Sequence, residues 1–379
     1  MRQLLLLGGG HAHLHVLRRL ARAPIGGAAV TLVSPADQSH YSGMIPGYLQ
    51  GTYAEPQLAV DLVRLCAAVG ASFIRGSATH IDVARRIVET DVGACAFDVL
   101  SLDVGADVAS IGDVPGAGEH ALTLRRPGAA PALRARVDRL VAERGHAEVR
   151  VCVVGGGAAA VEVSLALHRR IEAGKSTPVV AMFERGPAVV PDYAPGLRQR
   201  VTHLLRSRGI RVHRSSAIVA VEPSAVVLDF GERAPADVTV WLTGPAPPSV
   251  LAASGLPRDA RGFLLVDSTL RAVDGAPVWG AGDCVALAEW PWVAKAGVYA
   301  VREAPVLDRN IRAVLGGATP VRYRPQRAFL SLLNTADGRA LARWRGLSVH
   351  ARWAWYVKDS IDRRFVRTFQ RVYEPLPPQ

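Results

Sequence analysis

The chain has only four cysteines, Cys66, Cys95, Cys152 and Cys284, and no two of them stand in a Cys-x-x-Cys spacing. That excludes a local zinc knuckle and a thioredoxin-like dithiol, and no metal site is expected. The thiols are left to act as small apolar groups of a reducing compartment, with Cys66 and Cys95 still free to meet in space. Long apolar runs are missing as well. The longest stretch without a charged residue, 238–257, contains Pro245, Pro247, Pro248 and Pro257, so it is not a spanning helix. The apolar run 4–7 is too short for a secretory leader and meets three glycines, as a strand meets a turn; a cytoplasmic protein is expected. What is present, 49% hydrophobic and 21% charged residues over 379 positions, excludes disorder and suits two or three packed domains.

The formal charge of +12 is uneven. Over 339–379, nine Arg or Lys stand against Asp359, Asp362 and Glu374, and six of the seven tryptophans fall within 279–355. Arg mixed with Trp suits an anionic membrane surface or a nucleic acid; no recognition motif for the latter accompanies it, so no nucleic-acid partner is expected.

Apolar runs and glycines organise the rest. A buried-strand run at 3–7 leads into Gly8, Gly9, Gly10, His11, Ala12 and His13, then Leu14, Leu17 and Leu20 at helical spacing, then a second strand at 29–33. The same grammar recurs: a strand at 149–154, the turn Gly155, Gly156, Gly157, Ala158, Ala159 and Ala160, a helix through Val161, Leu165 and Leu167, and a strand at 179–183. Each unit has the chemistry of a dinucleotide phosphate site, because glycines permit the tight turn and the helix start offers unpaired N–H groups. Neither has the third glycine. Ala160 is an accepted substitute there, while bulky His13 implies looser packing of the first helix. One such turn is weak evidence, and two in strand-turn-helix-strand context are much stronger. Glu184 ends the second strand of the second unit, where a carboxylate accepts from a ribose diol and favours NADH; Arg185 beside it weakens that vote. The first unit has Ser34 there, with Asp37 three residues on.

With these motifs the sequence resembles the pyridine nucleotide-disulfide oxidoreductase superfamily of two-dinucleotide flavoproteins. Residues 100–105, ending in Gly105, look like the crossover from flavin to NAD domain; 240–244, ending in Gly244, look like the return; Gly280, Ala281, Gly282 and Asp283 match the late Gly-Asp motif. Without a Cys-x-x-Cys, the similarity is to the branch of type II NADH:quinone dehydrogenases and sulfide:quinone oxidoreductases. More narrowly, Gly8 to His13 with 41–47 looks like the oxidoreductase module associated with selenide, water dikinase. The cysteines do not match the sulfide-oxidising pattern, so NAD(P)H oxidation ranks above sulfide- or selenium-linked chemistry.

The resemblance implies an α/β fold of two Rossmann-like domains, the second inserted in the first. An FAD domain is expected at 1–110 and 265–318, an NAD(P)H domain at 111–264 with a linker at 125–131, and a small α+β tail at 319–379. It implies FAD and NAD(P)H as cofactors and a small acceptor, quinone first. Phosphate and ribose contacts fall to Gly8, Gly9, Gly10, His11, Ser34, Gly105, Gly155, Gly157, Ala158, Glu184 and Gly244; Gly282 and Asp283 take the ribityl chain. Tyr41 and Ser42 belong to a loop beside the flavin ring, Tyr41 either stacking there or simply packed. Glu162 is expected near the nicotinamide and flavin rings, steering the ring or relaying a proton; a solvent-facing glutamate in a helix's first turn is the plain alternative. Lys295 stands near the usual glutamine of the acceptor segment and would stabilise the anionic reduced ring, unless it points to water. A flavin-bound redox sensor with little turnover is the other functional reading. In the tail, 329–333 reads as a strand, 334–338 as a turn, and Trp353, Val357, Ile361, Phe365 and Phe369 as a helical apolar stripe for a membrane surface, the protein's own body or a dimer.

Overall fold

The computed structural model describes residues 1–374; the last five residues of the expected tail lie outside the described ones. Strand β1 (Arg2–Leu7) leads into helix α1 (His11–Leu20) and returns as β2 (Ala28–Ser34), with β3 (Ser72–Arg75) and β4 (Val99–Leu102) beyond. β1 runs parallel to both neighbours, Leu4 lying opposite Val30 on β2 and Val99 on β4. Leu4, Leu5, Leu6 and Leu7 are all buried. A parallel strand covered on both faces takes such an unbroken apolar run.

The inserted unit repeats this plan. β5 (Ala121–Leu122), helix α2 (Ala129–Arg144), β6 (Glu148–Val154), helix α3 (Ala158–Ala173), β7 (Thr177–Glu184), helix α4 (Pro195–Ser207), β8 (Arg211–Arg214) and β9 (Val238–Trp241) follow in the chain. The strands form a parallel sheet ordered β5-β9-β6-β7-β8. The chain then re-enters the first sheet through β10 (Val278–Gly280), which completes the order β10-β4-β1-β2-β3. The expected linker is shorter than its composition suggests: α2 starts at Ala129, and Pro131 sits in its first turn, where a missing N–H costs nothing.

After helix α5 (Gly297–Gly316), which lies on α1, an antiparallel sheet forms from β11 (Ser331–Asn334), β12 (Ala340–Trp344) and β13 (Leu347–Ala351), and helix α6 (Arg352–Gln370) closes the described chain. β11 begins two residues later than the apolar pattern indicates. The apolar stripe on α6 is divided between outside and inside. Phe369 is buried, but Trp353, Val357 and Ile361 are exposed, and the inward face is Ala354, Lys358, Asp362, Val366 and Phe369. A buried lysine and aspartate invert the apolar pattern because they pair with each other.

Candidate active site

The two glycine turns are built alike. Gly8 and Gly155 both hold positive φ, and a Cβ at either would run into the carbonyl oxygen of the strand crossing beneath, that of Asp103 or of Leu242. Glycine is therefore required at both. Among the described residues, the backbone N–H groups of Gly9 and Gly10, and of Gly156 and Gly157, have no acceptor. Unpaired donors at the start of a helix of ten or more residues are what a pyrophosphate binds.

His13 does not loosen α1. It is fully buried, with Nδ1 2.7 Å from the Gly8 carbonyl and Nε2 2.8 Å from Ser101 Oγ, so the missing glycine is replaced by a hydrogen-bonded imidazole. Burial pushes its pKa down to about 4, partly opposed by the Gly8 bond. Asp103 also binds this turn. One carboxyl oxygen accepts from Ala12 N–H at 2.7 Å and His13 N–H at 3.0 Å, capping α1 from a neighbouring strand. Burial raises Asp103 to about 7 against those two bonds.

From this turn an open cleft of about 480 Å³ runs along the first sheet, lined by Gly8, Gly9, Gly10, His11, Ser34, Ser42, Gly105, Gly282 and Asp283. Its size lies within the range of cofactor pockets, and its donors and polar termini fit a flavin dinucleotide. Arg125, between β5 and α2 of the inserted unit, also lines it and pairs with Asp283 at 3.0 Å. Gly282 N–H donates to buried Glu303 at 2.7 Å; burial raises Glu303 to about 7. Gly244 lies apart from the cleft, its carbonyl accepting from Ala109 N–H at 2.9 Å in the return connection. On the second turn Ala158 opens α3, and the Glu184 carboxyl lies across Gly156 while accepting from Gly186 N–H at 2.6 Å.

The other groups meet where α3, the 41–50 segment and the tail come together. Glu162 is not a solvent-facing helix residue: its Oε1 accepts from Asn334 N–H on β11 at 2.7 Å. Burial raises it to about 7, the Lys358 charge working against that rise. Lys358 and Asp362 form an ion pair at 2.7 Å with side chains only 8% and 5% exposed, and Lys358 Nζ also donates to the Gly43 carbonyl at 2.8 Å. Tyr41 packs on Phe365 (ring centroids 4.4 Å apart) and edge-on to His11 (5.4 Å); burial, then the Asp362 charge, raises its phenol. Tyr53 OH, just after the 41–50 segment, donates to Asp359 on α6 at 2.7 Å.

Lys295 lies half-buried beside the Gly-Asp turn, lining a small cavity with Gly282 and Asp283. Its Nζ donates to the Val285 carbonyl and lies 4.1 Å over the Phe263 ring, and it does not line the main cleft. Burial lowers its pKa. Of the chain's three lysines, Lys358 is the one bonded to the 41–50 segment, and sequence pattern gives no sign of it, since Lys and Asp four apart read as a surface pair. Asp103 did carry a signal: a carboxylate closing an otherwise apolar strand. All four cysteines are free thiols. Cys66, Cys152 and Cys284 are raised to about 12 by burial, which makes them poor nucleophiles.

Known proteins resemble this chain. The demethylphylloquinone reductase of Synechocystis sp. is 25% identical over 354 residues, 89% of this chain and 85% of its own. A type II NADH:quinone oxidoreductase of Staphylococcus aureus is 23% identical over 96% of this chain and 95% of its own. Among solved structures, the sulfide:quinone oxidoreductase of Aquifex aeolicus superposes with a TM-score of 0.79 at 18% identity, covering 98% of this chain and 92% of that one. NDH2 of Plasmodium falciparum gives 0.78 at 13% identity over 98% and 97%; at such identities these two show the shared fold. The model of the pyridine nucleotide-disulphide oxidoreductases matches residues 2–304, which span both parallel sheets and both glycine turns. By that match, and by the paired turns it covers, the chain belongs to the pyridine nucleotide-disulphide oxidoreductase family.

Proposed function

We propose that this chain is an FAD-dependent NAD(P)H dehydrogenase that passes electrons to a quinone or a similar small acceptor, with no redox disulfide on the path. The observation that carries the reading is the pair of matched glycine turns, each with unpaired N–H groups at a helix start, joined to a carboxyl of raised pKa on the second helix. A flavin held in the first cleft would supply the hydride and electron chemistry. The chain binds and orients. Gly9, Gly10 and His11 face one pyrophosphate, Gly156, Gly157 and Ala158 the other, and Glu184 accepts from the donor's ribose diol. Glu162, largely protonated below about pH 7, holds a proton where an acceptor is reduced, and Lys358 keeps the helical 41–50 segment in place through Gly43. The relatives named for quinone reduction support the acceptor class.

The division into an FAD part at 1–110 and 265–318 and an NAD(P)H part at 111–264 is supported by the two separate parallel sheets. Membrane-surface attachment through the tail is supported by the exposed Trp344, Leu347, Trp353, Tyr356, Val357 and Ile361; among the described residues no helix is long and apolar enough to cross a membrane. The decisive experiment is an absorption spectrum of the purified protein. A flavin spectrum bleached by NADH and restored by a soluble quinone is expected. A colourless protein that cannot be reconstituted with FAD would overturn the reading.

A further inference from the structure

We infer that a pocket between the start of α4 and the β12–β13 hairpin binds a phosphate-bearing anion, at a place distinct from both nucleotide turns. The cavity, about 440 Å³, is lined by Arg200, Arg327, Arg343 and Arg345 and shares no residue with the flavin cleft or with the second glycine turn. Among the described residues, no carboxylate lies within ion-pair distance of any of the four, although Arg208, just past the end of α4, does pair with Asp337 at 2.9 Å. Four like charges around one cavity repel each other and lower its affinity for cations while raising it for anions.

The guanidinium groups are held by means that leave their charge intact. Arg343 lies 4.5 Å over the Tyr193 ring and 5.9 Å from that of Phe329, Arg327 lies 5.5 Å from Trp292, and Arg345 lies 5.4 Å from Trp344. None of these three donates a hydrogen bond within the described chain; Arg200 spends one N–H on the Ser348 carbonyl at 3.0 Å. An aromatic face fixes the plane of a guanidinium and leaves its edge N–H groups unused, and those forks match the oxygen spacing of phosphate. The first turn of α4 adds to this: it holds no acidic residue and no side-chain cap, and Gly196 there leaves room for close approach. The shared chemistry is a phosphate group, carried either by a small free compound or by a phospholipid headgroup, since the exposed Trp344 and Leu347 mark the same hairpin tip.

Pyrophosphate is titrated by calorimetry into the flavin-loaded protein with its second glycine turn saturated by NAD⁺. Saturable binding is expected, weakened at least tenfold by Arg200→Gln with Arg343→Gln and unchanged by Arg85→Gln with Arg86→Gln on a distant turn. Arg327→Gln, at an exposed position, provides a second variant that leaves the packing of Arg343 alone; melting midpoints and flavin spectra check that each variant is folded. A parallel arm uses phosphatidylcholine vesicles with and without phosphatidylglycerol. If the arginine variants also lose the preference for anionic vesicles, the phosphate is a lipid's; if only pyrophosphate binding falls, it is a free compound's. Either result supports the site. No pyrophosphate binding by the parent protein, or binding that the arginine variants leave unchanged, overturns it.

Discussion

Glu162 carries the sharpest chemical test. Its carboxyl accepts one N–H from the tail strand and is raised by burial to about 7, so below that pH it is mostly protonated and can supply a proton, and above it cannot. Reduction of the acceptor by the loaded, reduced protein should therefore slow as pH rises through about 7. Glu162→Gln should lower that step roughly 100-fold, in the range of lost general-acid catalysis, and remove the pH dependence. Stopped-flow measurement of the two half-reactions separates this from hydride uptake, which should change little; an unchanged pH profile would refute the role. Of the candidate site residues, Glu162, Tyr41, Gly282 and Asp283 could be singled out in the sequence because they lie in or beside glycine motifs whose backbone geometry is local, and Ser34 because it ends the second strand of the first unit. Lys358, Asp362, Phe365 and Arg125 could not, since what makes them part of the site is a contact across hundreds of residues or between domains that no local pattern records.

At the scale of elements, α6 shows how pattern and burial part company. A period of four apolar residues is plain in its sequence, yet the helix turns Lys358 and Asp362 inward and leaves Trp353, Val357 and Ile361 outside. The buried pair is satisfied by its own 2.7 Å contact and by the Gly43 carbonyl. Removing one partner strands the other's charge: Lys358→Met should cost on the order of 3–5 kcal/mol, whereas Lys358→Met with Asp362→Leu should recover much of it. Denaturant unfolding of the two variants measures the difference, and equal losses would show the pair to be of no account. The outward face predicts separately. Trp353→Ser with Ile361→Ser should reduce binding to anionic vesicles without lowering the melting midpoint, because neither side chain supports the core; sedimentation with vesicles checks it. The paired Rossmann-type units, by contrast, could be read directly, since a parallel strand buried on both faces writes itself as an unbroken apolar run.

For the whole molecule, the notable feature is three carboxyls withdrawn from water, the buried Asp103 and Glu303 and the half-buried Glu162, each raised to about 7 chiefly by desolvation. A carboxyl raised on folding binds more protons in the folded than in the unfolded chain. Its contribution is thus full below its unfolded value, 4.5 for a glutamate, and is lost as pH climbs through its folded one. His13, lowered to about 4, acts in the opposite sense: its contribution is lost as pH falls from 6.5 towards 4. Total stability therefore mixes the two signs over the acid range, and single variants are needed to separate them. Glu303 is the best choice, since it is 1% exposed and bonds Gly282 from outside the main cleft lining. Measured against the parent protein, Glu303→Gln should gain relative stability steadily between pH 4.5 and 7, by on the order of 3 kcal/mol at one pKa unit per 1.4 kcal/mol, with Asp103's neighbouring charge spreading the change over a wider window. Unfolding free energies of both proteins at each pH give the curve directly. If the difference stays flat across that range, the Glu303 carboxyl is not raised in the folded protein, and the picture of uncharged acids packed behind the Gly-Asp turn fails with it.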